Sequence, residues 1–495
     1  MPTVISPDLV FADLVKALFN NEDHLDDSYI KYALEEAFSP NMTELDFAKV
    51  MDLFPENYPQ IIDVFTSITS RASNILILKI TEGMLAERNF NSMSMDVKMV
   101  EAIGRMSKLI ILKVQRFYLS FSKLIDLCRK LPWLKILFFK IEPEPEFEVN
   151  DIENFEQCFG NLEIFQFTPA SNDRRLNSQF QQTLTLECIS TLPNLRILGD
   201  PDDKYFVDML QTCLESNELA GDNNWISKLT HLTLFLGEDV PENALNIFPD
   251  VTQLHIWVGN NQENNTGYLV TGLLDFQHLS KLTMCELGMN YSHYIKCFLD
   301  VYGRRLKHLI LNFKSYPINF VWLFNTICCN NLGSLQELVM CNLDIQPPSM
   351  MVDERGCDAA VELGRLSYES LRELQLEFAC KKTFSQAYVE LSKILSVPNL
   401  EGVRLIRVPT TLDELWETMI LVTERKILKK VTYFVLELFD EQIIENEIIA
   451  RARCCQTIKD KLLSNIEEVE KFVEVTIYTP PPNFQPFFSK LYNEI

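Results

Sequence analysis

The chain has 495 residues, 47% of them hydrophobic, and a formal net charge of −24. That length calls for two or more compact domains, or for a repeat solenoid. The acidic balance, with no basic patch in the sequence, excludes a nucleic-acid binder, because a phosphate backbone demands local positive charge; it favours a protein partner with a basic surface.

The first element is helical, over residues 6–38. Ser6 and Pro7 fit the N-cap and first helical positions, and Asp8 falls in the first turn. Val10, Phe11, Leu14, Ala17 and Leu18 form an apolar face, and a second helix over about residues 28–38 ends before Pro40. The opening stretch has no basic n-region, so no secretory signal is expected.

From residue 42 one motif recurs, L-x-x-L-x-L with other apolar residues admitted in the Leu slots. Faint copies stand at 42–47, 75–80 and 109–114. Clear ones follow: LPWLKILFF (Leu134, Leu137, Phe139), FGNLEIFQF (Leu162, Phe165, Phe167) and LPNLRILGD (Leu195, Leu198). The series continues through Leu229–Leu232–Leu234, Val251–Leu254–Ile256, Leu279–Leu282–Met284, Leu306–Leu309–Leu311, Leu335–Leu338–Met340, Leu371–Leu374–Leu376 and Leu400–Val403–Leu405. Two faint copies at 431–436 and 472–477 close it, giving about 15 units spaced mostly about 22–36 residues apart, the period range of solenoids. L-x-L reads as a short strand with alternate residues inward. Between strands lie amphipathic segments such as 205–216, with Phe206, Met209, Leu210 and Leu214, and 383–396, with Ala387, Leu391, Ile394 and Leu395.

On these motifs the chain resembles the leucine-rich-repeat family over roughly residues 40–480. The resemblance implies an α/β solenoid of the ribonuclease-inhibitor-like kind, a curved parallel sheet inside and helices outside, with about 15 irregular repeats over 41–480, a helical segment at 1–40 and a capping tail at 481–495. The family's Asn or Cys after the last Leu is approached only by Cys341 and, less closely, Cys285. Uneven curvature is therefore expected. The N-terminal helices have two readings. One is a cap over the open end of the solenoid. The other is an adaptor-docking element: DLVFADLVKAL resembles the elongin-binding box of cullin substrate receptors in Leu9 and its helical continuation, with Leu14 on the same helix, although Asp13 stands near where that box has a cysteine. An F-box is a poorer match, lacking a Leu-Pro start and a late Trp.

Two insertions interrupt the repeats. Residues 142–157 are acidic and Pro-punctuated, expected as an exposed loop, and 345–366 form a longer connection; residues 441–472 read as one long helix or two. Motifs of chemistry are scarce. Phosphate-binding loops, G-x-S-x-G and H-E-x-x-H do not occur, and the chain has only 15 glycines. The six histidines show no metal spacing, and the pairs Cys328–Cys329 and Cys454–Cys455 read as packing residues. No catalytic residue, metal or cofactor is expected. The 13 cysteines are scattered and odd in number, which fits free thiols in a reducing cytoplasm. The longest apolar runs, such as INFVWLF at 318–324, fall far short of the roughly 20 residues of a membrane span.

What remains is the outward face of the strands. The outward positions present Phe138 and Lys140, His231 and Phe235, His255 and Trp257, His308 and Asn312, and Arg404. Aromatic residues displayed where polar ones would serve are candidate anchors for a protein partner; a register one residue off would bury them instead. The chain is thus expected to be a non-enzymatic recognition module, either the substrate receptor of a cullin-type ubiquitin ligase or a scaffold or inhibitor.

Overall fold

The computed structural model describes residues 7–19, 26–54, 58–71, 74–81, 93–144, 152–170, 174–199, 207, 210, 226–236, 245–258, 272–288, 291–314, 317–330, 333–345, 370–379, 388–439, 445–464 and 471–478. The fold is α/β, with two parallel sheets and, among the described residues, helices between many of the successive strands. The chain divides into two compact units, Met1–Leu232 with Val240–Asp250, and Thr233–Asp239 with Val251–Ile495.

The first sheet takes its main strands in chain order: β1 (Glu44–Asp46), β2 (Ile77–Ile80), β4 (Ile111–Ser120), β5 (Ile136–Glu142), β6 (Ile164–Pro169) and β7 (Ile197–Leu198), with β3 (Met93–Ser94) paired to the far end of β4. The second sheet does the same with β8 (His231–Leu236), β9 (Gln253–Val258), β10 (Lys281–Leu287), β11 (His308–Phe313), β13 (Glu337–Ile345), β14 (Glu373–Phe378), β15 (Gly402–Pro409), β16 (Tyr433–Phe439) and β17 (Phe472–Tyr478); β12 (Pro317–Ile318) pairs with the end of β13. Each copy of the L-x-x-L-x-L motif carries one of these strands. The two-residue strands β3 and β12 have no motif and were not expected.

Alternation explains the packing. The motif residues Leu112, Leu137, Leu254, Leu309, Leu338, Leu374 and Leu405 are buried, whereas the residue after each is half-buried or exposed. Inward residues of neighbouring strands stand opposite one another, as Leu282 does to Leu309 and Leu338 to Leu374. One backbone arrangement recurs at the strand starts: a single carbonyl accepts two successive N–H groups from the next unit. Ile110 O receives Lys135 N and Ile136 N at 2.9 and 3.1 Å, and Lys307 O receives Gln336 N and Glu337 N at 2.8 and 3.0 Å. This joins units through backbone alone, so the side chains at these positions are free to vary.

The intervening helices bury one side. Phe121–Cys128 buries Phe121, Leu124 and Leu127; Tyr291–Tyr302 buries Ile295, Phe298 and Leu299; Leu412–Thr423 buries Leu415 and Val422. Capping follows the residue types: Asp96 accepts from Lys98 N at 2.8 Å and Thr411 from Glu414 N at 3.2 Å. In the helix Tyr291–Tyr302, buried Tyr302 places its hydroxyl to donate to Leu273 O at 2.5 Å and to accept from Phe276 N at 3.1 Å.

Several expected elements differ. The acidic insertion is not a plain loop: Ile152–Phe159 is helical and buries Phe155 and Phe159 beside Phe121. Within 383–396 the described helix is only Leu391–Ile394, although Leu391, Ile394 and Leu395 are buried as the periodicity requires. In 205–216 only Val207 and Leu210 are described, both buried. Glu445–Leu463 forms one helix that buries Cys454 and Cys455. Residues 346–369 and the tail 481–495 lie outside the described residues, as do the side chains of Cys328 and Cys329.

Candidate functional site

The outward face of the second sheet is built from rows, because parallel pairing brings equivalent residues of successive strands side by side. The first row runs Gln253, Lys281, His308, Glu337, Glu373, Gly402, Tyr433 and Phe472. The second runs His255, Thr283, Ile310, Val339, Gln375 and Arg404. In a third row Trp257 stands opposite Cys285 and Asn312 opposite Cys341.

One corner of this face is aromatic. Trp257 stacks on His255, with ring centroids 5.5 Å apart and planes 13° from parallel, and its ring centroid is 6.5 Å from that of Phe235, whose ring is tilted by 44°. All three are half-buried, with the remainder facing out. His255 Nε2 is 3.2 Å from the Cys285 thiol. A thiol beside an imidazole has the elements of nucleophilic chemistry, but Cys285 is 8% exposed. Its contact holds the imidazole ring parallel to the indole. The patch is a plate formed by the stacked His255–Trp257 pair with Phe235 tilted beside it, all three on strands.

Beyond the plate the face turns polar and then acidic. His308 Nδ1 is 2.8 Å from Glu337 Oε2. Asn312 accepts from Asn342 Nδ2 at 2.7 Å, and Arg407 pairs with Glu377 at 2.8 Å. Glu373 lies over Gly402, where a Cβ would stand 1.8 Å from its Oε2; a side chain there would have to displace the end of the Glu373 side chain. Burial, and then the carboxylates of Glu337 and Glu401, push the Glu373 carboxyl above its ordinary range. Arg404 is exposed. Cys341 is half-buried on this face, its thiol raised mainly by burial, with Glu377 acting in the same direction and Arg404 against it.

The other candidates are elsewhere. Phe138 and Lys140 are on β5 in the first sheet, both half-buried, and the Lys113 ammonium sits 4.3 Å from the centre of the Phe138 ring. His231, at the start of β8, has Nδ1 2.9 Å from the Thr230 hydroxyl oxygen. Leu9, Asp13 and Leu14 lie on α1 (Pro7–Phe19), with Asp13 exposed and Leu14 half-buried; the Leu9 side chain is outside the described residues. Asp8 of α1 is committed to the first strand, its carboxylate accepting from Thr43 N at 3.0 Å, Glu44 N at 3.3 Å and Thr43 Oγ1 at 3.0 Å. Among the described residues, no group of three or more His, Cys, Asp or Glu could hold a metal ion, and no helix is long and apolar enough to cross a membrane.

Cys285, beside the plate, is the residue there that the sequence did not single out as a site residue. It joins through inter-strand register, which sets it opposite Trp257.

No family model matches this sequence, and no curated protein does. Among solved structures the chain is similar to a TDR receptor, at 13% identity and a TM-score of 0.28, over 88% of this chain and 71% of the other. It is also similar to the Rad7 and Elc1 complex in yeast, at 14% identity and a TM-score of 0.33, over 89% of this chain and 94% of that one. Likeness at this level transfers neither partner nor activity.

Proposed function

We propose that this chain is a non-enzymatic, leucine-rich-repeat recognition protein that binds a protein partner on the outward face of its second sheet. The observation that carries the reading is the His255–Trp257–Phe235 plate, three half-exposed rings on adjacent strands of a regular sheet. Half-exposed aromatic groups locked by their neighbours are what interface anchors are made of. The in-order parallel strands and the repeated backbone junction support the solenoid organisation of each sheet. The test is the double substitution Phe235→Ala with Trp257→Ala. Partner capture in affinity purification is expected to vanish, while the circular-dichroism spectrum and thermal midpoint stay near those of the parent. Loss of folding would show instead that the rings serve the core.

A second reading concerns the N-terminus and makes the chain the substrate receptor of a cullin-type ubiquitin ligase. On α1 and α2 (Asp27–Ala37), Val10, Tyr29 and Tyr32 are exposed, and exposed apolar residues on paired helices suit an adaptor. The Asp8 contacts to Thr43 and Glu44 favour the alternative, a plain cap. Mass spectrometry of the captured material decides. A cullin and its adaptor recovered with the full chain, and lost when residues 1–38 are deleted, is the receptor outcome. A folded chain that brings down neither leaves a scaffold or inhibitor.

A further inference from the structure

The helix Tyr291–Tyr302 has two sides. Ile295, Phe298, Leu299 and Tyr302 are buried, and His293, Lys296 and Asp300 are exposed. His293 and Cys297 are four residues apart, which puts them on adjacent turns of one face. His293 Nε2 is 3.8 Å from the Cys297 sulfur. Cys297 is a half-buried free thiol. The spacing of the histidines alone does not reveal this pair, because its second donor is a cysteine.

The separation fits an ion held between the two donors. With bonds of about 2.3 Å to sulfur and about 2.05 Å to nitrogen, a tetrahedral zinc ion keeps them about 3.6 Å apart. The contact of His255 with Cys285 differs: those atoms are 3.2 Å apart, and Cys285 is 8% exposed on its strand. That pair packs, whereas the pair on the helix is open to solvent. The donor set selects the ion. Thiolate and imidazole suit zinc, whereas magnesium and calcium take oxygen ligands. Lys296 and Asp300, on the same exposed side, offset each other in charge. Among the described residues no third His, Cys, Asp or Glu joins the pair.

We propose that His293 Nε2 and Cys297 Sγ chelate a zinc ion on the solvent side of this helix, with water in the two remaining positions. Binding breaks the S–H bond and forms a sulfur–zinc bond, and the proton leaves to solvent. The site lies on a helix and not on the outward strand face, so it goes beyond the recognition surface proposed above and does not depend on it.

The experiment titrates the full chain with Co2+, a spectroscopic stand-in for zinc, and then adds Zn2+. A thiolate-to-cobalt absorption band is expected. It should strengthen as the pH is raised, and be abolished by Zn2+ but not by Mg2+ or Ca2+. Zinc affinity is read by competition with a chelating dye. His293→Ala and Cys297→Ser are each expected to weaken it by at least about 10-fold, the loss that even an outer-shell partner costs. Both side chains reach solvent, so the circular-dichroism spectra should match the parent. Cys341→Ser removes a half-buried thiol of the strand face and is expected to leave the affinity unchanged. Phe235→Ala with Trp257→Ala should do the same, so failure of the plate and failure of the zinc site are told apart. Absence of the band would overturn the proposal. So would an affinity unchanged in both helix variants, which places the ion on other thiols, or lost in Cys297→Ser alone, which leaves a single thiol contact. One ion shared between two chains in sedimentation would overturn the water-completed site.

Discussion

At the residue scale, the acidic end of the second sheet has a cost that titration exposes. Glu373 has Glu337 on one side in its row and Glu401 close by, and its carboxyl is raised by burial and by those two charges. A carboxyl raised in the folded state holds its proton more tightly there than in the unfolded chain. Its contribution is therefore most favourable below the unfolded value of ~4.3 and is lost as pH rises through the higher folded value. Glu373→Gln removes the charge and keeps the shape over Gly402. It is expected to raise the urea midpoint at pH 7, by less than about 1 kcal/mol because the group is exposed to solvent, and to change little at pH 4. A lower midpoint at pH 7 would mean that Glu373 gains more from unseen hydrogen bonds than it loses to its neighbours. The position itself was legible as an outward residue of the YESLRELQL copy. Its electrostatic burden was not, because Glu337 is 36 residues away in the chain and arrives only through strand pairing.

At the element scale, strands of the second sheet alternate between two forms. Register shifts occur in β10, β13 and β15, and the intervening β11 and β14 run straight. Each shift holds one residue with left-handed backbone: Glu286 at φ 56°, Asn342 at φ 58° and Arg407 at φ 57°. These side chains reach a straight strand or its end, Glu286 to Lys314, Asn342 to Asn312 and Arg407 to Glu377. The alternation amounts to a two-repeat period laid over the single repeat. Left-handed backbone costs an ordinary residue about 1–2 kcal/mol, and asparagine less. Asn342 is exposed, and both Val and Gly lose its bond to Asn312, so the difference between those two variants reports backbone. Asn342→Val is expected to lower the thermal midpoint by the equivalent of about 1–2 kcal/mol more than Asn342→Gly does; equal behaviour of the two would remove the strain argument. Sequence spacing located every motif-bearing strand through its buried apolar residues, but not β3, β12 or any of these bulges. Leucine periodicity reports which side is buried, whereas Glu, Asn and Arg in a left-handed conformation lack the glycine that signals such a turn. The helix Ile152–Phe159 was missed for a related reason: its acidic composition masked Phe155 and Phe159, whose spacing of four puts both rings on the buried side.

At the scale of the whole molecule, nearest-neighbour packing decides how far damage travels. In a repeat protein each unit contacts only its neighbours, so stability is a sum of local terms and long arrays lose all-or-none unfolding. Here the chain separates into two compact units, each with its own parallel sheet and its own buried leucines. Leu112, wholly buried in β4, belongs to the first, and Leu309, 1% exposed in β11, to the second. Truncation of either to Ala removes buried methyl groups and leaves a cavity, at a cost of about 2–5 kcal/mol. Scanning calorimetry of the full chain is expected to resolve two components. Leu112→Ala should lower one and leave the other; Leu309→Ala should do the reverse. Ile310→Ala is the control, since Ile310 is half-buried on the outward face between Leu309 and Leu311; it should move neither by a comparable amount. A single transition displaced equally by both leucine variants would show that the two units unfold as one block, and that the fifteen motif copies stabilise one another across the whole chain. A large loss from Ile310→Ala with Leu309→Ala tolerated would instead invert the strands of the second sheet, and would turn the aromatic plate into core.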